Sequence, residues 1–330
     1  MAIQFGRKVS LIIGPDSGDA LDLSGLRIVF RVQRGDTQTP NSARIRVYNV
    51  SDNTAQRAAA EFTRVVLQAG YEGNYGIIFD GSIIQVRRGR ESPTDTYIDI
   101  TAADGDMAYN FAVVSTTLAA GSTHVDVVDA CLKAMGKYGV TAGHIADLPS
   151  NPMPRGQVLF GMARDHLETV ARSTQTIWSI QDGQLQIVPE TSYVPGEIPV
   201  INAKSGMVGL PEQTQNGITV RMLLNPAVKI GWLIRLDNSS IQRYEFSLQS
   251  TLEAENRQIA QQNQLNGKIN GDGFYYVMSN EFWGDTRGND WYTEVTCLSV
   301  DATPGLELST KASGVSAPAP AKLGVINPYG

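Results

Sequence analysis

Two stretches of this chain write the same strand, turn and strand. GRESPTDTYIDIT begins at Gly89 and GDTRGNDWYTEVT at Gly284, a constant separation of 195 residues (284 − 89) with no gap. Asp95 faces Asp290, Tyr97 faces Tyr292, Ile100 faces Val295, Thr101 faces Thr296, and Asp99 meets the like-charged Glu294. Alternating strands resemble one another by default, but here turn and strand residues agree together. A chain of 330 residues with a repeated strand set is expected to hold more than one domain.

The first hundred residues support that expectation. VSLIIG (from Val9), LRIVFRV (Leu26), ARIRVYNV (Ala43), RVVLQAGY (Arg64), GIIFDGSIIQVRR (Gly76) and DTYIDITAA (Asp95) are short, β-branched and often alternating. Such runs are half-buried strands. Asp80-Gly81 reads as a tight hairpin turn, and NTAQRAAAEF as a short helix. Six short strands suggest a barrel or sandwich.

The pattern changes after Asp104. HVDVVDACLKAM puts Val125, Val128, Cys131 or Leu132, and Met135 on one helical face, with Ser122 or Thr123 as cap and Gly136 and Gly139 as stops. DLPSNPMPRG is a loop. FGMARDHLETVARS is a second amphipathic helix with Phe160, Ala163, Leu167, Val170 and Ala171 inward. A hairpin follows, turning at Asp182-Gly183. Residues from about 106 to 200 therefore read as a small α+β domain.

Strands return at GITVRMLLNP, GWLIRLD, GFYYVMSNEFWG and DWYTEVTCLSVD, interrupted by a polar insertion at about 250–272. ARIRVYNV and GITVRMLLNP both end at an asparagine, Asn49 and Asn225, so the order of elements repeats. The expected division is 1–105, a first β-barrel; 106–200, α+β; 201–302, a second barrel; and 303–330, a tail rich in proline and small residues. Three copies of such a chain would set six similar barrels around one axis, under closed cyclic symmetry.

Little in the sequence points to catalysis. His124, His144 and His166 form no HExxH or Cys/His metal spacing. Asp165, His166 and Glu168 are the one local acid–base cluster, and a solvated helix face explains them better. In GPDSG, Ser17 is displaced from the centre that a nucleophile elbow requires. Asp16, Asp19 and Asp22 lack the EF-hand pattern, and no glycine-rich phosphate loop precedes a helix. No metal, cofactor or catalytic residue is expected. RRGR at Arg87–Arg90 is a small basic cluster at a turn; it could touch a phosphate, but turn solvation or a salt bridge with a neighbouring subunit explains it better. Trp283 and Trp291 flank a turn; packing against their own barrel is the default expectation, while on an exposed platform they would suit a subunit interface or a carbohydrate-binding β module.

A formal charge of −6 does not suit a body that grips a nucleic-acid backbone. Cys131 and Cys297 imply no disulfide framework. Neither a signal peptide nor a membrane-spanning run is expected, and so neither is a membrane anchor.

AGYEGNYGIIFDGSIIQVRRG, HLETVARSTQTIWSIQDGQLQIVP, NGITVRMLLNPAVKIGWLIRLD and GFYYVMSNEFWGDTRGNDWYTEVTC occur in this order. Together they resemble the baseplate hub proteins of tailed bacteriophages, over roughly residues 1 to 302. The resemblance implies a homotrimer with two tail-tube-like barrels per chain flanking the α+β domain. The barrels would form a pseudo-six-fold ring joining the hexameric tail tube to the trimeric central spike. The ring would line a channel for DNA or the tape-measure protein in transit. It implies a structural, non-catalytic role in the virion baseplate, with assembly in the host bacterial cytoplasm. Expected partners are a second copy, the tail tube or distal tail protein, the spike and other baseplate proteins. Pro318, Pro320 and Tyr329 in the tail are the expected partner contacts.

Overall fold

The computed structural model describes residues 6–15, 19–190, 192–209, 211–214, 217–236 and 273–300. The polar insertion, the tail with Pro318, Pro320 and Tyr329, and Asp16 and Ser17 lie outside the described residues.

The first strand set is β1 (Arg7–Gly14), β2 (Leu21–Asp22), β3 (Ile28–Gly35), β4 (Ser42–Tyr48), α1 (Asp52–Ala60), β5 (Arg64–Tyr71), β6 (Asn74–Arg90) and β7 (Thr96–Ala103). α1 starts where expected, because the Ser51 hydroxyl accepts the Thr54 amide. β6 corrects one expectation. Asp80-Gly81 is no turn: both residues lie inside the strand, Asp80 opposite Val66 and Gly81 opposite Val65. The hairpin turns instead at Glu72-Gly73, where Gly73 has φ +87°. Gly81 is needed for close approach, since a Cβ there would lie 2.6 Å from the Ala103 carbonyl oxygen.

The middle segment contains α2 (Asp106–Phe111), β8 (Val113–Leu118), α3 (His124–Met135), β9 (Thr141–Ile145), β10 (Gln157–Met162), α4 (Ala163–Thr174), β11 (Thr176–Gln181) and β12 (Gln184–Pro189). Thr123 caps α3 in a capping box with Asp126. The Asp182-Gly183 turn forms as read, with φ +54° and +73°. Val127, Cys131, Met135, Leu167, Trp178 and Leu185 pack into one core. Two inward assignments fail. Val125 is exposed in the first turn of α3. Phe160 belongs to β10, on the outer face of its ribbon with β8, and is 77% exposed.

The second strand set is β13 (Val200–Ile201), β14 (Glu212–Thr214), β15 (Gly217–Leu223), β16 (Leu233–Leu236), β17 (Gly273–Asp285) and β18 (Trp291–Ser299). The chain is mainly β. Among the described residues thirteen strands share one sheet, whose main path runs β14-β15-β18-β17-β3-β4-β7-β6-β5-β1-β2 and is open at both ends. No closed barrel is found among them. The two sets are joined edge to edge, Ser279–Asp285 of β17 pairing with Val29–Gly35 of β3.

The repeat is real in the pairing. β4-β7-β6-β5 and β15-β18-β17-β16 are neighbours in the same order, all antiparallel. A bulge falls at Ile84 in β6 and at Met278 in β17. The gapless match holds for β7 and β18 but slips by one for β6 and β17. Asp99 and Glu294 pair with Arg87 and Glu281, and Tyr97 and Tyr292 pair with Gly89 and Trp283. Gly89 therefore corresponds to Trp283, not to Gly284. The turn absorbs the difference, with residues 91–95 between the last pairs of one hairpin and 285–290 in the other. One residue of slip moves a side chain to the other face of a sheet.

The two glycines accordingly make room on opposite faces. A Cβ at Gly284 would lie 2.6 Å from the Phe30 ring and 2.7 Å from the Trp291 ring, both fully buried. At Gly89 it would meet the outer end of the half-buried Tyr97 ring. Gly284→Ala should therefore cost about 1–3 kcal/mol in urea unfolding, and Gly89→Ala less, because only the outer end of one half-buried side chain has to move. Equal costs would contradict the assignment of the two glycines to a core face and an open face.

Candidate functional site

The polar face of the shared sheet is the site that both strand sets build together. Alternation sends Phe30, Val32, Ile45, Ile98, Ile100 and Phe282 into the core, with Trp291 edge-on to Phe30 at 5.4 Å. The intervening residues face a groove of about 860 Å³ that crosses β17, β3, β4, β7 and β6. Cross-strand register places them in rows. One row reads Tyr292, Trp283, Arg31, Arg44, Thr101, Gln85. A second reads Asp285, Val29, Arg46, Asp99, Arg87.

The charge along this face is divided. Acidic Glu281, Asp285, Asp290 and Glu294 lie on the second set, and Arg31, Arg44, Arg46 and Arg87 on the first, with Asp99 among them. The two fields meet at the joint, where Arg31 pairs with Glu281 and Gln33 donates to the same carboxylate at 3.3 Å. Arg27 grips Asp285 through two nitrogens at 3.2 and 2.7 Å, holding that carboxyl below its ordinary range. Arg46 binds Asp99 at 2.6 and 2.9 Å and lies over the Tyr97 ring at 3.9 Å. The Asp99 bonds raise the arginine's proton affinity. Among the described residues Arg44, Arg87 and Glu294 have no ion pair. These half-exposed pairs set register more than stability, each being worth roughly 0–1 kcal/mol.

A buried polar junction fixes the middle segment against the sheet. Arg34 of β3 donates to the Asp182 carboxylate at 2.9 Å and to Gln181 Oε1 at 3.2 Å. Asn41 donates to Gln181 Oε1 at 2.8 Å. Asp104 accepts the Asp182 and Gly183 amides at 2.6 and 2.9 Å. Asp104 is buried near Arg34 and the partly exposed Asp182, and burial pushes the Asp104 carboxyl up to about 7 against the attraction of Arg34.

Asp165, His166 and Glu168 do not converge, although His166 and His124 line one common pocket. Asp165 lies 3.6 Å from Arg164, Glu168 accepts from Arg172 and Gln38, and His166 Nε2 is buried without a hydrogen-bond partner. Among the described residues no group of three metal-ligating side chains occurs. Burial pushes the Cys131 thiol up to about 12. Trp283 and Trp291 form no joint platform. Trp291 is 1% exposed and donates to the Gly70 carbonyl, whereas Trp283 lies on the other face between Arg221 and Tyr292. Of the RRGR cluster, Arg87 lies on the polar face and Arg88 pairs with Asp52. The face as a whole went unread in the sequence. Its one signal was alternation of charge with apolar residues in FRVQRG, ARIRVY and TEVT.

The family model described as Baseplate hub gp41 matches residues 24–242. No curated protein matches the sequence. The fold is similar to the 43 kDa tail protein of prophage MuSo2 from Shewanella oneidensis, with a TM-score of 0.55 and 8% identity, covering 89% of this chain and 97% of that one. It is also similar to a tail protein from Neisseria meningitidis MC58, with a TM-score of 0.54 and 11% identity, covering 89% and 96%. No helix among the described residues is long and apolar enough to cross a membrane.

The raised Asp104 makes folding pH-dependent. Its proton is held more tightly in the folded chain, so its stabilising contribution is full below about pH 4 and is lost as pH rises through about 7. Asp104→Asn has no proton to take up. Urea midpoints at both ends of that window should fall with rising pH more steeply in the wild type than in Asp104→Asn. Identical slopes would show that this carboxyl is not held up.

Proposed function

The chain belongs to the baseplate hub gp41 family, a structural component of the phage tail baseplate in the virion, and from that membership we propose how it works there. Three copies form a ring with pseudo-six-fold symmetry. One side meets the hexameric tail tube or distal tail protein, and the other holds the trimeric spike. The polar face lines the channel, through which DNA or the tape-measure protein passes. The ring assembles in the host cytoplasm before infection.

One observation carries this reading: a single chain presents two strand sets of the same order, joined edge to edge. A chain that supplies two equivalent staves converts three-fold symmetry into an approximate six-fold one with no second protein. The tube-like units are residues 1–105 and 201–302, with the α+β unit at 106–200 held by the Arg34–Asp104–Asp182 junction. The role is mechanical, and the mixed-charge face lets a polyanion pass without a continuous basic track to bind it.

Light scattering across concentration, with electron-microscope class averages, tests the assembly. The expected particle is hollow and six-lobed, at about 107 kDa, three times 35.7 kDa. A compact monomer at every concentration would count against the ring. The tail at 303–330, including Pro318, Pro320 and Tyr329, is proposed to contact the spike or a neighbouring baseplate protein. A chain ending at Thr303 should keep the ring and lose spike capture, and unchanged capture would remove the tail from the interface.

A further inference from the structure

The joint between the two strand sets has a second half that this chain leaves open. Within the chain, β17 pairs over Ser279–Asp285 with β3. The part of β6 that corresponds to this length of β17 begins at Gln85 and runs to the strand's end at Arg90, since both follow the shared bulge. On its other edge β6 pairs with β5 only as far as Ser82. No strand lies along Gln85–Arg90 on that edge among the described residues.

The counterpart of β3 is also present and open. β3 lies beside β4 as β14 lies beside β15. Arg44 and Thr101 pair in the first set where Thr219 and Thr296 pair in the second. Arg44 in turn faces Arg31, and Thr219 faces Glu212. Glu212 therefore holds the place of Arg31. Met207 also bridges Met222 where Ile28 meets Val47, but five residues separate Met207 from Glu212 where three separate Ile28 from Arg31, so the register match is limited to β14 itself. β14 pairs only with β15 and ends the sheet.

We propose that the open β6 edge of one copy pairs, antiparallel, with the β14 edge of a second copy, as β17 pairs with β3 inside each chain. Charge identifies the occupant. Inside the chain the joint carries Arg31 of β3 against Glu281 of β17. The residues in those two places at the open edges are Glu212 and Arg87. The pair is kept with its signs exchanged. Among the described residues neither Glu212 nor Arg87 has an ion-pair partner. Two different sheet edges that match in direction and charge make a heterologous, head-to-tail contact, which gives a ring when the rotation between copies closes, as the three-copy reading requires. The strand joints then alternate around the ring, one within each chain and one between chains. This inference rests on the hub reading and names the contact through which it assembles.

The test is a charge exchange on the full chain, read by light scattering. Arg87→Glu and Glu212→Arg should each raise the concentration for half-assembly at least tenfold. The double variant Arg87→Glu/Glu212→Arg should return it to near the wild-type value. Circular dichroism and thermal unfolding of all three should match the wild type, because both side chains are exposed. Single variants that assemble like the wild type would overturn the joint and leave the trimer standing. So would a double variant no better than the singles. A wild-type chain that stays monomeric throughout would overturn the ring reading itself, and the joint with it.

Discussion

Main-chain pairing between β17 and β3 is the contact on which the rest of this architecture depends. It binds residues some 250 positions apart, as in the Arg31–Glu281 pair, into one sheet. Without it both strands would present unpaired amides and carbonyls, a liability that folded proteins avoid. It also brings Phe282 and Trp291 of the second set into the core of the first, where Trp291 caps Phe30 and reaches the Gly70 carbonyl. The two strand sets are therefore not beads on a string. Part of the second set completes the first set's core.

The same contact creates the polar face. Either strand set alone has a face of one predominant sign. Joined, they place an acidic field beside a basic one, with Arg31, Gln33 and Glu281 at the seam. Individual pairs contribute little in solvent. Their value is in register, because a one-residue slip would move the exposed Arg31 of β3 into the core. The buried Arg34, Asp104 and Asp182 group works differently. It costs desolvation, and in return orients the β11–β12 hairpin, and through it the α+β segment, against the sheet.

Local chemistry was legible where a pattern and its cause lie close together in the chain. Six of the seven strands of the first set, α3 with its Thr123 cap, and the Asp182-Gly183 turn all follow from alternation, capping and positive φ. The errors share a cause. Asp80-Gly81 looks like a turn because the residues that make it a strand, Val65, Val66 and Ala103, lie elsewhere. Phe160 looks inward because α4 seems to begin before it, whereas the chain there pairs with β8. Gly89 and Gly284 align by eye, but an extra turn residue separates them in the sheet.

The sequence by itself determined that this chain is mainly β, that one strand set is written twice, and that an α+β segment separates the copies. Those properties follow from side-chain periodicity, which each segment carries within itself. Only the tertiary structure decided that the copies share one open sheet, that Trp291 is buried while Trp283 is not, and that Arg31 meets Glu281. Edge pairing depends on backbone groups that every residue has alike, so no side-chain pattern marks which edges will meet. Charge marks it only after register is known, because the same arginine is a core error or a surface partner according to a shift of one residue.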